Sequence, residues 1–282
     1  MPLADRLKEC VTVLKATDTY LGKHKKVISN MVDPKTLNIL FEISGSHNRI
    51  EEIIKLIDTR ESSMKIMLDL HKAAIPIPVD HVKLCGNDIH FKDARLLLVQ
   101  GYINTVWAIA DNITDIAGRI ACSYTYLNNK PLPAKLVSTF LAIDSKNSSI
   151  PHCVTLLTTS LREGFGWPIL LSYEIRNIFT HDGGINGNRS FFDGDTISSE
   201  FRINMSAWDA MIEAVKKRPM RLNESMTKAP EVWPWPKGQD DRNDLRDLLI
   251  ICNREMDGAL GVLMGTACDV FKSHVAYLYG VK

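Results

Sequence analysis

The stretch Val99-Gln100-Gly101-Tyr102-Ile103-Asn104-Thr105-Val106-Trp107-Ala108-Ile109-Ala110-Asp111-Asn112-Ile113-Thr114-Asp115-Ile116-Ala117-Gly118-Arg119-Ile120 decides the fold. Val99, Tyr102, Ile103, Val106, Ile109, Ala110, Ile113, Ile116, Ala117 and Ile120 recur at three- and four-residue intervals. An α-helix turns once in about 3.6 residues, so this spacing lines one apolar face over about six turns. It predicts a long helix from about Phe91 to Tyr126. Asn129-Lys130-Pro131-Leu132-Pro133 ends it, because proline lacks the amide hydrogen a helix interior needs.

Upstream of that helix, the first 75 residues read as helical. Asp33-Pro34 places a capping side chain before a proline at the first helical position. Ile50, Ile53, Ile54 and Ile57 mark an apolar helical face. From Ala74 to Asn87, Ile75-Pro76-Ile77-Pro78 excludes a helix interior, and a linker or ordered loop is expected. Downstream, Ser148-Ser149-Ile150-Pro151 separates a short helix from the next, and a helix from about Trp167-Pro168 to His181 stops at Gly183-Gly184. Between Gly183 and Asn204 the helical period lapses. Ser190-Phe191-Phe192 and Thr196 to Ile203 flank Asp193-Gly194-Asp195, the pattern of a small hairpin. Ser206 caps a helix to Lys217, Trp233-Pro234-Trp235-Pro236 forms a rigid aromatic loop, and a last helix from about Asp241 to Tyr279 carries Leu245, Leu248, Leu249, Cys252, Met256, Leu260, Leu263, Ala267 and Phe271. The expected fold class is all-α with one small inserted β-hairpin, divided into an N-terminal helical region with linker, residues 1–87, and a helical bundle, residues 88–282.

Composition agrees with a folded globular chain: 282 residues, 45% hydrophobic and 24% charged. No stretch reaches the roughly 18 to 20 uninterrupted apolar residues that cross a bilayer, and Met1-Pro2-Leu3-Ala4-Asp5-Arg6 lacks the features of a secretory signal. A cytoplasmic address without membrane attachment is the expectation. Cys10, Cys85, Cys122, Cys153, Cys252 and Cys268 form no Cys-x-x-Cys pair, which favours buried free thiols over a zinc site or a disulfide framework. A formal net charge of +1 leaves partners to be decided by local patches. Arg6, Lys8, Lys15, Lys23, Lys25 and Lys26 form one basic excess, and Lys216-Lys217-Arg218 with Arg221 another; each reads first as a solvated helix face.

The chemistry-bearing segment is Tyr173-Glu174-Ile175-Arg176-Asn177-Ile178-Phe179-Thr180-His181-Asp182-Gly183-Gly184. On a helix, Leu171, Ile175 and Ile178 face a core while Glu174, Asn177 and His181 share a polar stripe. His181 falls in the last turn, where unsatisfied carbonyls favour its protonated form, and an imidazole titrating near neutrality exchanges protons. Arg176 brings a fixed charge in a planar fork suited to phosphate oxygens. It stands five residues, about 140°, from His181, so the two side chains are not neighbours on an undistorted helix; they converge on one phosphate if Arg176 snorkels, if the last turn loosens at the glycines, or if a second subunit completes the site. A plain helix terminator beside a solvated arginine has the same spacing.

Arg176-Asn177-Ile178-Phe179-Thr180-His181-Asp182-Gly183-Gly184 resembles the signature of the HEPN superfamily: arginine, a polar residue, a few residues, then histidine at a helix end. The likeness covers about nine residues, and the long helices fit the family's α-helical bundle. It implies a metal-independent endoribonuclease without a cofactor, acting in a toxin, stress or antiviral setting, in which two subunits pack so that both motifs line one cleft. Arg176, Asn177 and His181 would be catalytic, the RNA 2′-hydroxyl attacking the adjacent phosphorus to leave a 2′,3′-cyclic phosphate. Glu174 and Arg189 would contact the substrate. Expected partners are RNA, a second copy of the chain and a protein inhibitor or antitoxin.

Other readings stand beside this one. A non-catalytic helical module would bind RNA or protein through the same groove. His181-Asp182 is also the dipeptide of metal-dependent HD phosphohydrolases, with His152 and one of Asp240, Asp241 or Asp244 as further ligands. Asp111 and Asp115 are one turn apart, a spacing that holds Mg²⁺, joins a salt-bridged face or orients Arg176. Trp233 and Trp235 would stack on bases or dock on the protein's own helices. Cys153, His152 and Ser160 lack the context of a nucleophile system.

Overall fold

The structure, a computed structural model, describes residues 1–74, 81–84, 86–124, 176–177 and 245–279. The described chain is mostly α: α1 Leu3–Lys23, α2 Lys25–Ile28, α3 Pro34–Ser44, α4 His47–Ala74, β1 His81–Leu84, β2 Asn87–His90, α5 Phe91–Tyr124 and α6 Leu245–Tyr279. Among the described residues no helix is long and apolar enough to cross a membrane.

Local chemistry explains the helix ends. Asp33 caps α3: one carboxylate oxygen accepts from the backbone N–H of Lys35 at 2.9 Å and of Thr36 at 3.0 Å, and the other accepts from the Thr36 hydroxyl. Pro34 supplies the first helical residue, as the sequence predicts. Gly45 closes α3 by donating its N–H to the Phe41 carbonyl at 2.9 Å, and His24 closes α1 on the Tyr20 carbonyl at 3.1 Å.

The chain divides into two compact units, and α4, α5 and α6 each contribute to both. In the first unit the described residues are 1–57, 108–124 and 256–279. Its core begins in α1, where Leu7, Leu14 and Leu21 recur every seven residues and are fully buried. Leu3, Cys10 and Thr17 fill the intervening positions, so α1 buries a narrow seam of coiled-coil type. α1 packs against α3, which brings Leu37, Leu40 and Ile43. Ile50, Ile53 and Ile57 of α4 are buried, as their spacing predicts, while Ile54 is half-exposed. The second half of α5 adds Ile109, Ala110, Ile113, Ile116, Ala117 and Ile120; α6 adds Met256, Ala259, Leu260, Leu263, Met264, Ala267 and Phe271. Each large aliphatic side chain so buried contributes about 1.5 to 3 kcal/mol relative to exposure.

In the second unit the described residues are 58–74, 81–84, 86–107, 176–177 and 245–255. The first half of α5 buries Val99, Tyr102, Ile103, Val106 and Trp107 there. With the six in the first unit, every apolar position of α5 that the periodicity marks is buried.

One expectation is corrected. The segment from Ala74 to Asn87, read as linker or loop, contains paired strand: β1 and β2 are antiparallel, with His81 opposite His90, Val82 opposite Ile89, Lys83 opposite Asp88 and Leu84 opposite Asn87. Gly86 makes the reversal possible, because its φ of 82° lies where side chains with a Cβ are strained. Val82 and Ile89 form the half-buried pair while Lys83 and Asp88 meet on an exposed side. Residues 75–80 and the hairpin expected between Gly183 and Asn204 lie outside the described residues.

Candidate functional site

Arg176 and Asn177 are helical, each is half-buried, and both belong to the second unit. His181, Glu174 and Arg189 lie outside the described residues, as do His152, Asp182, Trp233, Trp235, Asp240, Asp241 and Asp244.

The Asp115 carboxylate has a definite role, as the centre of an ionic cluster in the first unit. Its Oδ2 accepts from Arg49 Nη2 at 2.9 Å and from Arg119 Nε at 3.1 Å. Arg119 Nη1 donates on to Glu42 Oε1 at 3.1 Å, and Arg49 Nη2 reaches Asn112 Oδ1 at 3.5 Å. Hydrogen bonding to Asp115 raises the pKa of Arg119, with the charges of Asp115 and Glu42 acting in the same direction. Of the spacing's three readings for Asp111 and Asp115, the salt-bridged face describes Asp115: two guanidinium groups hold its carboxylate. Asp115 is the least exposed of the four charges, at 20% against 44% for Arg49, 48% for Arg119 and 68% for Glu42. It is therefore the member whose pairing is least screened by water.

Three of the six members of the N-terminal basic excess pair with acidic side chains within the unit. Arg6 Nη1 donates to Glu9 Oε2 at 2.8 Å and its Nη2 lies 3.7 Å from Asp269. Lys8 pairs with Asp5 at 3.3 Å and Lys15 with Glu51 at 2.6 Å. That last bond holds the Glu51 carboxyl below its usual range. Lys25 sits over the Phe41 ring, 5.6 Å from its centroid. These side chains form a paired, solvated face. Lys216, Lys217, Arg218 and Arg221 lie outside the described residues.

Cys10 and Cys268 are buried free thiols, as expected. They stand together with Arg6 and Asp269 where α1 meets α6. Among the described residues no group of three or more His, Cys, Asp and Glu side chains is placed to hold a metal ion.

Comparison with known proteins finds no matching family model, no matching curated protein and no matching solved structure. Two features escaped the reading of the sequence: the two-arginine clamp on Asp115 and the meeting of Cys10 with Cys268. The first had a partial local signal in the four-residue spacing of Asp115 and Arg119, which is that of a helical ion pair. The second had none, since its members come from opposite ends of the chain.

Proposed function

We propose that the chain is a metal-independent endoribonuclease of HEPN type, acting as a homodimer whose two motif helices line one cleft. The observation that carries this reading is the motif of Arg176, Asn177 and His181, of which the first two lie on a half-buried helical segment in a mostly α chain. The residue types suit the reaction. The 2′-hydroxyl of RNA attacks the neighbouring phosphorus, the bond to the 5′-oxygen breaks, and a 2′,3′-cyclic phosphate and a 5′-hydroxyl result. His181 moves the proton, because an imidazole is both acid and base near neutrality. Arg176 offsets charge on the non-bridging phosphoryl oxygens. Asn177, four residues before His181, has the spacing that shares a face on a regular helix, and it orients His181 or holds the scissile phosphate. Glu174 and Arg189 contact the RNA on either side of the motif.

The composite site answers a geometric difficulty. On an undistorted helix the five-residue spacing of Arg176 and His181 would set their side chains about 140° apart, and in this reading the arginine of one protomer serves the histidine of the other. Cleavage of single-stranded RNA in the presence of EDTA, measured for the native chain, Arg176→Ala and His181→Ala, tests the activity. Loss of cleavage in both folded variants supports it, and cleavage that survives His181→Ala overturns it. Mixing the two inactive variants tests the composite site, because one of the two clefts of a mixed dimer then contains both intact groups. Restored cleavage supports the shared cleft, and none contradicts it.

A further inference from the structure

We infer that Cys10 and Cys268 form an oxidisable dithiol that closes to a disulfide between α1 and α6. Within the first unit these helices meet in matched steps. Leu3 Cδ1 and the Arg6 stem lie against Gly261, the Arg6 guanidinium lies over Gly265, and Cys10 meets Cys268 about one turn further on each helix. The partners advance together, so the two helices run parallel along this seam. Gly265 leaves room for the Arg6 guanidinium, which a Cβ there would displace.

The two thiols are unequal. The Cys10 thiol is drawn below its usual range chiefly by the neighbouring Cys268 thiol; the positive charge of Arg6 assists, and burial opposes. The Cys10 thiol in turn pushes Cys268 up, and burial adds to it. The thiolate is the form that attacks an oxidant, and the lowered member of the pair is the sulfur better placed to supply it. Closure to a disulfide brings the two sulfurs to about 2.05 Å and needs Cα atoms about 4.4 to 6.8 Å apart, a separation that neighbouring positions on two packed helices can reach.

With a peroxide as oxidant the chemistry balances. The Cys10 thiolate attacks one peroxide oxygen and the O–O bond breaks. Hydroxide departs and takes up a proton, leaving Cys10 as sulfenic acid. The Cys268 sulfur then attacks the sulfenyl sulfur, the S–O bond breaks, and the leaving hydroxide accepts the Cys268 proton. The sum is two thiols and one peroxide giving one disulfide and two waters.

The test treats the full chain with a small excess of hydrogen peroxide, blocks remaining thiols under denaturing conditions, and maps peptides by mass spectrometry without reduction. The expected result is a peptide pair joining Cys10 to Cys268, lighter by two hydrogens than the free thiols, more abundant than any other cysteine pairing and removed by dithiothreitol. In Cys268→Ser, Cys10 stops at the sulfenic acid and is trapped by dimedone. Recovery of Cys10 and Cys268 as blocked thiols, or cross-links scattered over the remaining cysteines with no preference for this pair, overturns the inference. Should the serine variants fail to fold, the peptide map of the native chain decides alone.

Discussion

Leu260 and Val262 stand two residues apart on α6, one 1% exposed and the other 52%. Replacing each by alanine separates burial from helix chemistry at one place in the fold. Leu260→Ala removes three carbons from water-free surroundings, a loss of about 0.8 kcal/mol per carbon, or about 2.4 kcal/mol. The unfilled cavity adds to this, so the expected total is about 3 to 5 kcal/mol. Val262→Ala removes carbons already half in water and exchanges a β-branched residue for the best helix former, which offsets the lost contact; its net effect is within about 0.5 kcal/mol of zero. At about 2 to 4 °C per kcal/mol, thermal unfolding followed by circular dichroism shows Leu260→Ala lowered by about 6 to 20 °C and Val262→Ala displaced by less than about 2 °C. Equal displacements of the two midpoints would refute the placement of α6 in the core.

Three further outcomes follow from particular contacts. Asp115→Asn leaves Arg49 and Arg119 without their shared anion; urea melting shows a loss of about 1 kcal/mol that shrinks in molar salt, and an unchanged midpoint contradicts the clamp. The Asp33 carboxyl titrates below its ordinary range, chiefly because it accepts from the Thr36 hydroxyl and also from backbone N–H groups. Its capping contribution is therefore complete above the unfolded value of about 3.9 and disappears as pH falls through the lower folded value. Asp33→Ala accordingly unfolds more easily than the native chain at neutral pH, and their urea midpoints converge in acid; a constant gap across that range contradicts the assignment. Gly265→Ala displaces the Arg6 guanidinium and lengthens its 3.7 Å approach to Asp269. Because the displaced atoms end a flexible side chain and alanine favours a helix interior by about 0.5 to 1 kcal/mol over glycine, stability is unchanged or rises; a large loss, read by thermal melting, would mean that the backbone itself is in close contact there.

What the sequence discloses and what it hides follow from the range of each interaction. The burial of Val99 through Ile120 is legible because a helix repeats its own period and needs no knowledge of its neighbours. Asp33-Pro34 is legible for the same reason: the cap contacts residues two and three positions on. The hairpin from His81 to His90 is less so, because its strands have four residues each, too few for alternation to stand out beside Pro76 and Pro78. Its one local cue is Gly86. The ionic cluster is hidden by distance, with Arg49 and Asp115 separated by 66 positions and Arg119 and Glu42 by 77. In the candidate site, residue types and spacing make Arg176, Asn177 and His181 conspicuous as a motif. Whether the arginine and histidine serve one phosphodiester is a matter of tertiary and quaternary placement, which no periodicity encodes.

End-group analysis of RNA cut by the purified chain in EDTA addresses the proposed activity most directly. The account predicts fragments ending in 2′,3′-cyclic phosphate and 5′-hydroxyl from the native protein, none at a position whose 2′-hydroxyl is replaced by hydrogen, and none from Arg176→Ala or His181→Ala. Cleavage that requires a divalent metal, leaves 5′-phosphate ends, or continues at a 2′-deoxy position would contradict it.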